Sequence, residues 1–254
     1  MPRRITACFR DFVAAIAFYT ALPIPATWQL PFQAVACWAP LVGIVIGGGL
    51  AVLDRGLSLL PLSPLVRSVG IVAVWIALTG GLHLDGAMDT ADGLAVTDPK
   101  RRLEVMSDSA TGAFGVMAAI VILLLKVAAL TEIHTWRWLG LPLAAGWGRW
   151  GQQVAIARYP YLKPRGKGAF HKAALPSLKH TIPSLLLMLG LSVLPLGTTP
   201  SAPQLALGMA LGGVSIACLT AHWFYRRLGG HTGDTYGAVV EWTEALFLLL
   251  LATL

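Results

Sequence analysis

Three aspartates, Asp85, Asp89 and Asp92, follow one another at i, i+4 and i+7 in the stretch Gly80-Gly81-Leu82-His83-Leu84-Asp85-Gly86-Ala87-Met88-Asp89-Thr90-Ala91-Asp92-Gly93. On a helix, Asp89 lies about 40° to one side of Asp85 and Asp92 about 20° to the other, so the three carboxylates share one narrow face. Their mutual repulsion calls for protonation or for a cation among them. Oxygen-only ligands with no neighbouring cysteine suit Mg²⁺, Mn²⁺ or Ca²⁺ rather than zinc. Six of the 12 acidic residues fall between positions 85 and 108, where Asp98, Glu104 and Asp108 join the first three.

A second acidic group follows the loop Gly229-Gly230-His231-Thr232-Gly233-Asp234-Thr235-Tyr236-Gly237 and consists of Asp234, Glu241 and Glu244. Glycines let backbone N–H groups approach a phosphate closely. Glu241 and Glu244, three residues apart, sit about 60° apart on a helix and enter an apolar stretch, which is costly unless they face a cavity or a cation. Cations stand elsewhere. Arg149 lies within an apolar run, and Tyr161-Leu162-Lys163-Pro164-Arg165-Gly166-Lys167-Gly168 forms a basic, glycine-containing loop suited to a pyrophosphate. Lys126 sits near the middle of another run and must snorkel or find an acid.

The elements that position these groups belong to a membrane protein. Hydrophobic residues make up 56% of the 254 and charged residues only 12%, with mean hydropathy +0.69, against roughly a quarter charged in soluble domains. Apolar runs long enough to cross the hydrocarbon core recur along the whole chain. The expected architecture is an all-α polytopic bundle with seven spans, at about 33–53, 65–84, 112–131, 138–156, 181–199, 204–224 and 238–254. A shorter segment, about 9–25, ends in Leu22-Pro23-Ile24-Pro25 and carries Arg10 and Asp11, which predicts an interfacial or re-entrant helix. No removable signal peptide is expected. Cys8, Cys37 and Cys218 stand singly, without the spacing of a metal or disulfide site.

Of the 19 Lys and Arg residues, fourteen fall in the N-terminal segment and the alternate loops 85–111, 157–180 and 225–237. Only Arg55, Arg67 and Arg137 fall in the other set. By the positive-inside rule the acidic groups and the basic loop therefore all face the cytoplasm. The net charge of +7 is accounted for in the same way, and no nucleic-acid partner is expected. One membrane domain covers residues 1–254.

The chain closely resembles the cobalamin synthase family, the adenosylcobinamide-GDP ribazoletransferases. The resemblance rests on Leu22-Pro23-Ile24-Pro25, on the 80–93 stretch, and on Leu103-Glu104-Val105-Met106-Ser107-Asp108-Ser109 with Gly112. It continues through Arg149, Tyr161, Gly166 and Gly168 to Gly229–Ala238, Glu241 and Glu244. The sequence departs from the family pattern with Ala110 and Lys163, where arginines are usual, and with Gly-Ala-Met where Gly-Leu-Ala is usual after Asp85.

The resemblance implies joining of adenosylcobinamide-GDP to α-ribazole or its 5′-phosphate, with release of GMP. It further implies Mg²⁺ as cofactor and a location in the bacterial inner membrane with the site facing the cytoplasm. Asp85, Asp89, Asp92 and Asp108 are then the candidate catalytic carboxylates. The candidate metal ligands are Asp85, Asp89, Asp92, Asp234, Glu241 and Glu244. His83, Ser109, Arg149, Lys163, Arg165, Thr232 and Asp234 are candidate substrate contacts. The partners expected are the two substrates, the lipid bilayer and, in an oligomer, further copies of the chain. A CDP-alcohol phosphotransferase also uses membrane-edge aspartates, but its Asp-x-x-Asp-Gly-x-x-Ala-Arg pattern is missing here. A cation transporter would place its acids at mid-bilayer rather than at span ends on one side.

Overall fold

The computed structural model describes residues 2–163, 168–197 and 202–254, the first five of them as backbone only, and among the described residues there is no β-strand. In chain order the helices are α1 (Pro2–Tyr19), α2 (Val35–Leu57), α3 (Pro64–Thr79), α4 (Leu82–Ala95), the short α5 (Arg102–Val105), α6 (Ala113–Glu132), α7 (Arg137–Arg158), α8 (Ala169–Ala174), α9 (Ile182–Ser192), α10 (Ala202–Leu228) and α11 (Gly233–Leu251).

Three of these, α2, α6 and α10, are long and apolar enough to cross a membrane. Helices α3 and α4 pass together, but the pair is bent by 91° at the break. Among the described residues the count by length and composition is therefore three or four, which does not support seven. Two of the missing spans are present as helices at the expected positions, α7 and α11, whose interior polar residues lower their hydropathy. The expected span at 181–199 is instead the 11-residue α9, about 16 Å long, followed by turns to Gly197. The N-terminal helix expected at about 9–25 begins earlier and ends at Tyr19.

Helix α7 is the axis of the bundle, buried from Leu139 to Ala157 except at Pro142. Small residues let its neighbours approach it, as is usual where helices pack without a hydrophobic driving force between them. A Cβ added to Gly43 or Gly47 on α2 would lie 2.4 Å from the carbonyl oxygens of Ala145 and Leu141. At the end remote from the acidic loops, Arg137 closes the bundle. Its Nε and Nη2 donate to Asp54 (3.0 and 2.5 Å), its Nη1 to Ser68 (3.0 Å) and to the Leu130 carbonyl, and Arg67 approaches Asp54 at 3.1 Å. This accounts for two of the three cations on that side, Arg67 and Arg137, and ties α2, α3, α6 and α7 together.

The corner between α3 and α4 is made by Gly80 (φ 59°) and Gly81 (φ 69°), consecutive left-handed residues that side chains disfavour. They turn α4 across the end of α3. The aspartate-bearing segment turns away from the axis of α3 at that corner rather than prolonging it, and α4 is not itself among the helices long and apolar enough to cross a membrane.

Candidate active site

The α4 helix keeps the predicted acidic face. Asp85 is exposed, and Asp89 and Asp92 are half-buried. What brings this face to the second acidic group is close packing of α4 on the start of α11. A Cβ at Gly86 would lie 2.6 Å from the Asp234 carbonyl oxygen, and one at Gly237 would lie 2.8 Å from that of His83. The two glycines thus set the distance between Asp85/Asp89 and Asp234. Burial, then the charges of Asp85, Asp234 and Asp92, push the Asp89 carboxyl up to about 6, with Lys163 acting the other way.

The start of α11 is fixed by a capping box: the Thr232 hydroxyl accepts from Thr235 N–H (3.3 Å), and Thr232 N–H donates to Thr235 Oγ1 (2.8 Å). Thr232 also donates to Asp234 Oδ2 (3.1 Å), which orients that carboxylate. The basic loop is pinned alongside. His231 N–H donates to the Pro160 carbonyl (2.9 Å) and Leu162 N–H to the His231 carbonyl (2.7 Å), an isolated parallel bridge. The next residue, Lys163, then reaches Ser107 Oγ (2.8 Å) and Asp234 Oδ2 (3.3 Å). Behind them, burial pushes the His231 imidazole down to about 4 while its ring nitrogens meet Thr235 Oγ1 and the Ala221 carbonyl.

Asp92 does something the sequence did not show. Its two oxygens accept from Gly112 N–H (2.7 Å) and Gly115 N–H (2.8 Å), so it caps the first turn of α6 from across the chain. A Cβ at either glycine would come within 2.4 Å of that carboxylate. Asp108 and Ser109 are exposed in the loop before α6, where Asp108 Oδ1 accepts from Ala110 N–H (3.0 Å). Arg165 lies outside the described residues.

Glu241 and Glu244 do not join Asp234. They point into the bundle, about two and three turns further along α11, and each accepts from Lys126 Nζ at 2.6 Å. Arg149 Nη1 donates to Glu244 (2.8 Å) and to the Ala145 carbonyl (3.0 Å). Two cations and two carboxylates therefore compensate one another inside the bundle, with Lys126 also 4.6 Å from the Trp75 ring centre. The sequence named no partner for Lys126 and set these glutamates and Arg149 with the metal and phosphate groups; the structure pairs them with one another, which satisfies charges that would be expensive alone. His83, expected at the site, is buried beside Tyr19 (ring centres 5.7 Å apart) with neither ring nitrogen hydrogen-bonded.

Among the described residues no three Asp, Glu, His or Cys side chains converge as a ready-made metal cage. The donor chemistry still suits a hard divalent cation. Asp85, Asp89 and Asp234 supply only carboxylate oxygens, and the crowding that raises Asp89 is relieved by positive charge. Asp85 is exposed and Asp89 and Asp234 are half-buried, so their carboxylates are reachable from solvent.

A family model described as cobalamin-5-phosphate synthase matches residues 11–252. The chain belongs to the cobalamin-5-phosphate synthase family. Three relatives, each named adenosylcobinamide-GDP ribazoletransferase, are similar over nearly their whole length. The protein of Trichormus variabilis is 59% identical over 96% of this chain and 97% of its own. That of Thermosynechococcus vestitus is 52% identical over 95% of each, and that of a Synechocystis strain 50% over 93% and 92%. No solved structure matches. This cobalamin-5-phosphate synthase family member is thus an enzyme, a transferase, and its helical bundle carries acidic stretches on α4 and at the start of α11.

Proposed function

We propose that the protein transfers the phosphocorrinoid group of adenosylcobinamide-GDP to α-ribazole, or to its 5′-phosphate, releasing GMP. The reaction would take place at the cytoplasmic face of a bacterial inner membrane. One observation carries the placement of the site: the Gly86 and Gly237 contacts that pack α4 on α11 and set Asp85 and Asp89 against Asp234 and Lys163.

Asp85, Asp89 and Asp234 are the residues that would hold Mg²⁺, which when bound neutralises pyrophosphate charge and the leaving phosphate. Lys163, steadied by Ser107 and Asp234, faces the same opening and offers its remaining ammonium donor to phosphate oxygens. The ribazole hydroxyl attacks the phosphorus on the aminopropanol arm, forming one P–O bond as the P–O bond to GMP breaks. Its proton passes to an α4 carboxylate, Asp85 or Asp89. Asp108, hydrogen-bonded in its own exposed turn, is a poorer acceptor. Asp92 holds α6 in place, and the Lys126–Glu241–Glu244–Arg149 cluster holds α6, α7 and α11 in register beneath the site.

The positive-inside count supports the cytoplasmic orientation, since Lys163, Arg102 on α5, Lys172 on α8 and Arg226 and Arg227 in the last turn of α10 all lie in the segments that join the long helices at the acidic end. Helices α7 and α11 fit as further membrane crossings whose polar side chains are covered by the surrounding helices, and α1 fits an interfacial helix. Purified protein in liposomes, given adenosylcobinamide-GDP, α-ribazole and Mg²⁺, should release GMP. CMP release from a CDP-alcohol, with none of GMP, would favour the phospholipid-synthase reading instead.

A further inference from the structure

On the face of α4 opposite the aspartates lies a cavity of about 600 Å³ that the transfer reaction does not use. Ala87 and Ala91 form its wall on α4, Phe114 and Ala118 on α6, Trp223 on α10 and Trp242 on α11. Its lining is almost wholly hydrocarbon. The single hydroxyl there, on Thr220, is turned back to the Ile216 carbonyl (2.7 Å). Two of the walls, α6 and α10, are helices long and apolar enough to cross a membrane. At the loop end of the same cleft, the Arg227 guanidinium lies 5.2 Å from the Trp223 ring centre. Arg102 is brought to that end too, donating to the Arg227 carbonyl (3.0 Å). A slot for a chain, flanked by an indole and headed by two guanidinium groups, matches an amphiphile with an anionic head.

We propose that this cleft binds one anionic glycerophospholipid, with an acyl chain between α4, α6, α10 and α11 and its phosphate at Arg227 and Arg102. The chain presses on Ala87 and Ala91, and so supports from beneath the helix whose other face carries Asp85 and Asp89.

Delipidated full-length protein in detergent is titrated with phosphatidylglycerol or with phosphatidylcholine of the same chains, and retained lipid is counted by native mass spectrometry. The wild type retains one phosphatidylglycerol in preference to phosphatidylcholine. Arg227→Gln weakens phosphatidylglycerol about fivefold, the worth of one basic residue near an anionic head group, and leaves phosphatidylcholine unchanged. Ala118→Phe, which fills the slot, abolishes retention of both. Should that variant fail to fold, quenching by brominated chains decides the matter: it is strong in the wild type and lost in the Trp223→Phe/Trp242→Phe protein. Equal retention of the two lipids by the wild type overturns the proposal. So does full retention by a folded Ala118→Phe protein, or quenching that survives the double replacement.

Discussion

Replacing Gly86 by alanine changes a single methyl group and tests whether α4–α11 spacing governs the reaction. The added Cβ would stand 2.6 Å from the Asp234 carbonyl oxygen and 3.0 Å from its Cα, both backbone atoms. Ordinary contact begins at 3.4 Å, so the helices must part by the difference, 0.8 Å. That shift separates Asp85 and Asp89 from Asp234 directly. Misplacement of about 1 Å can cost about 10²-fold in rate, so turnover should fall between roughly 30- and 100-fold. Overpacking costs about 1–3 kcal/mol, offset in part by the gain of about 1 kcal/mol when alanine replaces glycine in a helix. The protein should therefore remain folded. Gly70→Ala is the control, because nothing lies within 4 Å of its Cβ. Initial rates of GMP release and detergent melting curves would be measured for both variants. A Gly86→Ala enzyme with a wild-type rate would refute the reasoning, as would equal losses in the two variants.

Three further outcomes follow from other parts of the structure. Lys126→Met leaves two buried glutamates facing only Arg149 and should cost about 3–5 kcal/mol of stability, seen as a lower melting temperature in detergent; adding Glu241→Gln, which restores neutrality, should recover most of it. Asp92→Ala removes the acceptor for Gly112 and Gly115 N–H and should cost about 1–2 kcal/mol, read by faster proteolysis near the start of α6. Acid should destabilise the fold through His231 and His171, both held by burial at about 4 against 6.5 unfolded. Neutral imidazole is the folded form, so their contribution is intact above pH 6.5 and is lost as pH falls toward 4. At about 1.4 kcal/mol per unit, each amounts to about 3 kcal/mol at pH 4. A His171→Gln/His231→Gln protein should show a flatter decline between pH 6.5 and 4; an unchanged slope would rule these residues out.

The acidic face of α4 was legible because i, i+4 and i+7 spacing maps directly onto a helix surface. The loop before α11 was legible because its glycines announce one, whereas the Thr232 cap came from the structure. What the sequence concealed were contacts between distant helices. Spacing alone cannot say that Lys126 meets Glu241 and Glu244, more than 110 positions away. It cannot say that Asp92, though on the acidic face, is taken up by the first turn of α6. The local signal that could have found that cap is Gly112-Ala113-Phe114-Gly115, a helix start whose N-cap residue is a glycine with no side chain to cap it. Of the seven expected spans, α7 and α11 are present as helices but fall short of the length-and-composition test through their polar residues, and the apolar run after Thr181 supports only an 11-residue helix.

The central claim is that the α4 carboxylates, set against Asp234, perform a Mg²⁺-dependent transfer. Its most direct test is the rate of GMP release from adenosylcobinamide-GDP and α-ribazole by liposome-reconstituted wild type and Asp89→Asn, over a Mg²⁺ titration. The account predicts release by the wild type only with Mg²⁺, and none by a folded Asp89→Asn protein at any concentration. Near-normal release by Asp89→Asn, or wild-type release undiminished by chelation, would contradict it.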